Sequence, residues 1–235
     1  MPYPQNVPEV KETVSIVRDE VGPDVDIMID PASRWKLPEA KHILSELEEF
    51  NPLFAEDFVG SYKHTNPNEI EKLADSTHIP IALGDKLYRL PQFEELITRD
   101  AAGVLQPNIT YTGGILEVKK IAAAAEHHGI RIAPQNALGP VATAAAVHVD
   151  FTIPNFLIQE IAGTDFYGGW DTDLINTDVL EIENGYIFAP EKPGLGIEIS
   201  DEAFESPPAV SETPLYLNDE SLIHPDWSPR TDHGR

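Results

Sequence analysis

Residues 103–136 read GVLQPNITYTGGILEVKKIAAAAEHHGIRIAPQN, and the order of their parts decides the fold. Gly103 to Leu105 is a short apolar run, Gly114 to His128 is Ala-rich with a helical period, and Ile130 to Ala133 is apolar again. Gly129 stands just past the helix, where a left-handed backbone is favoured. Strand, helix and strand within about 30 residues predict a βα unit feeding a parallel sheet.

The alternation extends both ways. Upstream, Val25 to Ile29, Pro52 to Ala55 and Ile79 to Leu83 are strand-like runs. Between them, Pro38 to Phe50 sets Ala40, Ile43, Leu44 and Leu47 on one helical face and glutamates on the other. Asn66, Pro67 and Glu69 supply an N-cap, a proline at the first helical position and an early acid, opening a helix to about Ser76. Leu90 to Arg99 is helical as well, and Met1 to Val21 supplies one helix with Val10, Val14, Val17 and Val21 on a face. Downstream, Gly139 to Val149 is a helix of small residues and Phe156 to Ile158 a sixth strand. Val179 to Ile182 and Tyr186 to Phe188 then flank Glu183-Asn184-Gly185, a hairpin signal.

A polar residue closes each apolar run: Asp30, Glu56, Asp85, Asn108, Gln135 and Glu160, spaced by 26, 29, 23, 27 and 25 positions, about one βα unit each. In a parallel barrel these ends converge on the face that carries the chemistry. Strand ends are wetter than strand middles in any fold, so one such residue means little, whereas six in register define a candidate site.

Composition narrows the function. The chain has 235 residues, 41% of them hydrophobic, enough for a sizeable core. Against 16 Lys and Arg stand 40 Asp and Glu, and the net charge of −24 repels phosphate backbones and anionic lipid surfaces. Nucleic acid and membrane are therefore not expected partners. Cysteine is absent, which removes disulfides, thiolate metal sites and cysteine nucleophiles. No apolar run approaches the ~18 residues of a membrane span, and the start is not a secretory leader. The expectation is a cytoplasmic protein kept soluble in concentrated salt, where self-repulsion is screened.

Asp30, Glu56 and Asp85 end three consecutive strands, and three carboxylates so placed offer the hard oxygen ligands that Mg2+ prefers. In a chain this acidic, each alone is an ordinary solvated residue; only the register singles out the trio. His127 and His128 end a helix and His148 sits late in another, where the helix dipole favours them. Tyr88 and Tyr111 lie just beyond strand ends, within reach of a substrate hydroxyl.

Seven segments in order, VGPDVDIMID, PLFAEDF, THIPIALGDKLY, VLQPNITYTGGILEVKKIAA, IRIAPQNALGPVA, PNFLIQE and KPGLGIEI, give the chain a resemblance to the enolase superfamily. The likeness is to its mandelate-racemase-like acid-sugar dehydratases of the galactonate type. The resemblance runs from about Val10 to Glu202. It implies a (β/α) barrel and a lyase that removes the proton next to a sugar acid's carboxylate with Mg2+ as cofactor, followed by loss of a β-hydroxyl. Carried over by position, Asp30, Glu56 and Asp85 resemble the metal ligands, with Asp85 one methylene shorter than the commoner Glu. Glu160 resembles an acid that binds substrate, and Arg34 an arginine that follows the first ligand; Tyr111 joins them as a substrate-binding candidate.

The departures are specific. Gln135 stands where the family carries a histidine acid/base, and Asn108 where it carries the aspartate that orients that histidine. Ala32 takes the place of a second histidine, and the family's alternative lysine base falls before the resemblance begins. An amide does not shuttle protons near neutral pH. Two expectations follow: a Mg2+-dependent dehydratase of sugar acids, or a catalytically inactive relative that serves as a subunit or scaffold. Residues 1–202 are expected to form about six βα units of an incomplete barrel with a short hairpin, without the family's capping domain. Residues 203–235 are expected to form an irregular acidic, proline-rich tail. Open edges call for a homo-oligomer or a complementing chain.

Overall fold

The structure, a computed structural model, describes residues 7–60, 65–161, 175–176 and 180–202. Five short strands, β1 (Met28–Ile29), β2 (Phe54–Glu56), β3 (Ile81–Leu83), β4 (Val104–Leu105) and β5 (Arg131–Ile132), pair in parallel and in chain order. An order that never reverses means each crossover advances the sheet in one direction. That is the winding of a barrel and not of a doubly wound sheet, whose order reverses at a switch point.

The expected sixth strand lies where it was read but is barely regular. Phe156 makes an isolated parallel bridge with Ile132. The Ile132 N–H donates to Asn155 O at 2.9 Å, and the Leu157 N–H donates to Ile132 O at 2.8 Å. The Glu160 N–H extends this ladder to Pro134 O at 3.2 Å. The first strand is likewise shorter than the apolar run Val25 to Ile29, although Ile27 O still accepts the Leu53 N–H at 2.8 Å.

Helices α1 (Val7–Val21), α2 (Leu37–Leu47), α3 (Pro67–Ala74), α4 (Arg89–Ile97), α5 (Ile109–Thr112), α6 (Ile115–His127) and α7 (Pro140–Asp150) flank the strands. Asn66 caps α3 through its side chain, which accepts the Asn68 N–H at 3.2 Å. Gly129 follows α6 with φ +73°. The sequence reading missed α5, a single turn capped by Asn108 and joined to α6 by Gly113 and Gly114 at φ +123° and +88°. Two consecutive left-handed positions favour glycine at both. In α1, only Val10 and Val14 are buried, whereas Val17 and Val21 remain exposed. The expected four-residue apolar face therefore packs only in its first half.

Alternation along the strands sorts the core into two layers. Leu83, Leu105 and Ile132 pack outward under α2, α4 and α6, with Leu44, Leu47, Phe93, Leu96 and Ile121. Phe54, Ala82, Val104 and Ala133 form a second, inner cluster with Leu53 and Leu157. Continuing the inner face by two residues reaches Glu56, Gly84, Gln106 and Gln135. The inner layer thus points its carboxyl-end neighbours at one mouth.

The hairpin forms: Glu183 and Tyr186 exchange backbone hydrogen bonds of 2.9 and 3.0 Å around Asn184 and Gly185, both at positive φ. Val179, the first residue of the expected hairpin, lies outside the described residues, as does the tail 203–235. An antiparallel pair not anticipated from sequence joins β6 (Ile175–Asn176) to β7 (Glu198–Ile199). No helix among the described residues is long and apolar enough to cross a membrane.

Candidate active site

Every β-to-α connection of the sheet opens on the same side, and the mouth is assembled there. Asp30 leaves β1, and its Oδ1 accepts the Ala32 N–H at 2.6 Å, holding a turn in which Ala32 and Ser33 are both left-handed, at φ +52° and +60°. The Ser33 N–H then donates to Asp57 O at 2.7 Å, which ties this turn to the end of β2. Lost solvation raises the Asp30 pKa, and Asp57 adds to the rise; the Ala32 N–H, Lys86 and Arg34 oppose it. Arg34 is thus close enough to act on Asp30.

Glu56 ends β2, half-buried, and its Oε2 accepts a hydrogen bond from Gln106 Nε2 at 2.7 Å. Lost solvation pushes its pKa up to about 8 against that bond, with Asp30, Glu160 and Asp57 adding repulsion. Asp85 follows Gly84 beyond β3. Lost solvation and then Asp57 push it up to about 6, although Lys86 Nζ lies 3.4 Å from its Oδ1. Lys86 also pairs directly with Asp57.

Asn108 and Gln135 end the next two strands and touch: Asn108 Nδ2 donates to Gln135 Oε1 at 2.5 Å. Asn108 is buried, and its Oδ1 is occupied by the Thr110 N–H at 3.0 Å and the Thr110 hydroxyl at 2.6 Å. Gln135 Nε2 in turn donates to Glu160 Oε1 at 3.4 Å. Lost solvation raises the Glu160 pKa; hydrogen bonds from Gln135 and the Asn136 backbone oppose the rise, and Asp30 and Asp85 add to it. Tyr111 stacks edge-on to Tyr88 with ring centroids 6.5 Å apart, both rings more than half exposed.

Five carboxylates, Asp30, Glu56, Asp57, Asp85 and Glu160, therefore face two cations, Arg34 and Lys86. Burying like charges together favours protonation or a bound cation. The donor chemistry, hard anionic oxygens without enough counter-charge, fits a divalent ion such as Mg2+. Among the described residues, however, no three His, Asp or Glu side chains are grouped closely enough to form a metal shell. The trio lies within electrostatic reach without forming a ligand cage. His127 and His128 stack against each other at the end of α6, which leads into the opposite ends of the strands. His148, in the last turn of α7, keeps a buried Nε2 without a hydrogen-bond partner.

Sequence reasoning missed Gln106 and the Asp57–Lys86 pair. The inward parity of Val104 marks Gln106 two residues on, and Asp57 adjoins Glu56, but a contact between residues 50 positions apart leaves no local signature.

A sequence model of the enolase C-terminal domain-like family matches residues 4–203. D-galactonate dehydratase from Cronobacter sakazakii is 38% identical over 193 residues, 81% of this chain and 50% of that protein. The enzyme of the same name from Xanthomonas euvesicatoria is 38% identical over 202 residues, 83% of this chain and 52% of that protein. A mandelate racemase/muconate lactonizing enzyme-like protein from Rubrobacter xylanophilus superposes with a TM-score of 0.78 at 32% identity, covering 86% of this chain and 50% of that one. The chain spans about half the length of the curated relatives it matches.

Proposed function

The chain belongs to the enolase C-terminal domain-like family, and we propose that it is the barrel portion of an acid-sugar dehydratase-like protein that binds Mg2+ and a small sugar acid at this mouth. The observation that carries the proposal is Glu56. Its carboxyl ends an inner strand face, where lost solvation and then the charges of Asp30, Glu160 and Asp57 push it up to about 8, a strain that a bound cation would relieve. Asp30, Glu56 and Asp85, which lie within electrostatic reach of one another without forming a ligand cage, would have to close together to hold the ion. When bound, it supplies positive charge against a substrate carboxylate and so acidifies the adjacent carbon.

The chain's own residues supply binding more readily than proton transfer. Arg34 and Lys86 balance part of the rim charge and suit an anionic substrate. Glu160 and Tyr111 suit its hydroxyls. Gln135, tied to Asn108 and Glu160, orients a polar group but carries no exchangeable acid proton near neutral pH. That amide pair favours a second reading, a catalytically silent relative acting as a subunit. In either reading a homo-oligomeric partner or a complementing chain covers the sheet edges, and the cytoplasm, salt-rich in keeping with the net charge, is the proposed location.

The experiment is an assay of the purified chain with galactonate, gluconate or xylonate and Mg2+, following the 2-keto acid product. Turnover abolished by a chelator supports the dehydratase. Substrate and Mg2+ binding without turnover supports the silent relative, and absence of both binding events contradicts the proposal.

A further inference from the structure

Helix α7 begins just beyond the mouth and runs back toward the opposite ends of the strands, where Phe151 forms its C-cap. There Phe151 and the hairpin arm 183–189 border a cavity of about 660 Å³ that opens to solvent. Three aromatic rings line it, those of Phe151, Tyr186 and Phe188, and they are 56%, 73% and 68% exposed. Tyr186 and Phe188 stand two positions apart, the spacing that puts side chains on one face of an extended arm. The turn at Asn184 and Gly185, with φ +52° and +81°, folds that arm back, and Glu183 and Asn184 complete the lining. Among the described residues none of the three rings stacks on another ring, so the space between them stays open.

The electrostatics of this lining have one sign. Each ring presents the negative face of its quadrupole. The C-terminal end of α7 adds the negative pole of the helix dipole, Glu183 adds a carboxylate, and the chain as a whole carries −24. No Lys or Arg is among the described residues that line the cavity. Exposed apolar side chains scattered singly need no explanation, but three rings on one negative cavity suit a guest with an apolar surface and a positive charge. We propose that the cavity binds a small organic cation of the quaternary-ammonium class, held by cation–π contact with Phe151, Tyr186 and Phe188 and by the charge of Glu183. A bare ammonium is strongly hydrated and loses more water than the ring faces return, whereas a methylated one sheds little. The volume is that of a small-ligand pocket. The site lies at the other end of α7 from the strand-end carboxylates and does not depend on the reading given to them.

The test titrates the full chain with choline and with the uncharged alcohol in which a tert-butyl group replaces the trimethylammonium group. Ionic strength is matched, and binding is followed by calorimetry and tyrosine fluorescence. Tyr186→Leu and Phe188→Leu keep apolar bulk and remove a ring, and Glu183→Gln removes the charge. All three positions are exposed on the hairpin, melting temperature reports the fold of each variant, and the comparison of the two compounds on the wild type needs no variant. The proposal expects saturable choline binding, the uncharged alcohol weaker by about tenfold or more, and choline affinity lowered by about 3- to 30-fold in each ring variant. Glu183→Gln lowers choline affinity and leaves that of the alcohol unchanged. Equal affinity for the two compounds, no binding of choline, or unchanged choline affinity in the ring variants overturns the proposal. So does self-association through this face, seen as a dimer that Phe188→Leu dissociates and choline does not.

Discussion

Asn108 donates from Nδ2 to Oε1 of Gln135 at 2.5 Å, so two amides bridge the ends of adjacent strands β4 and β5. The contact fixes the Gln135 carbonyl oxygen on Asn108. Neither group exchanges a proton near neutral pH. The two positions that the resemblance assigns to a proton-transfer dyad are thus in contact, and both are amides.

Introducing Asn108→Asp and Gln135→His together should raise any dehydration rate above either single change, by about 100- to 10,000-fold if the new histidine acts as general base. An unoriented histidine works poorly, so the double variant should exceed the product of the singles. The assay is 2-keto acid formation, with a polypeptide supplying the remaining barrel strands added in trans. High turnover by the unmodified chain would mean that another group serves as base.

Glu56 contributes to the pH response of the metal-free chain, in the same window as Asp150, whose carboxyl is also pushed up to about 8 by lost solvation. The folded pKa of Glu56, about 8, lies above its ordinary 4.5, so the folded state holds the proton more tightly. Its contribution to stability is fully present below pH 4.5 and declines as pH rises toward 8. Asp85, raised from 3.8 to about 6, declines over a lower window. Glu56→Gln should therefore melt higher than wild type at about pH 8.5 in chelator, the difference shrinking toward pH 4.5. Parallel melting curves across that range would show that Glu56 is not destabilised when charged.

Gly84→Ala should destabilise the fold by roughly 2–4 kcal/mol, combining left-handed backbone strain with overpacking. The position has φ +136°, and the added carbon would meet Phe93 and the Gln106 backbone. Denaturant unfolding measures the effect. A loss within error of zero would mean that β3 and β4 separate there easily.

A net charge of −24 predicts that melting temperature rises with KCl up to molar concentrations, as screening relieves self-repulsion. A flat or falling dependence would contradict the reading of a chain suited to concentrated salt.

Much of this architecture is local and therefore legible in sequence. The Asn66 cap, the Gly129 stop and the Asn184-Gly185 turn each depend on one or two residues whose backbone preferences are strong. The strand ends were legible because the βα period repeats. What escaped reading depends on neighbours distant in the chain. Val17 and Val21 have the right spacing to be buried, yet the packed face of α1 ends at Val14. Helix α5 is too short to show a period and rests on the Asn108 cap. Gln106 is marked only by its contact with Glu56, made across 50 positions of the chain.

The proposal that Asp30, Glu56 and Asp85 close on one divalent cation is tested most directly by the melting temperature of the wild-type chain and Glu56→Gln with and without millimolar Mg2+. Binding to the native state alone stabilises it by RT ln(1 + [Mg2+]/Kd). The account predicts a clear upward shift for the wild type and little or none for Glu56→Gln, with calorimetric heats to match. Equal shifts in both proteins, or none in the wild type, would contradict it.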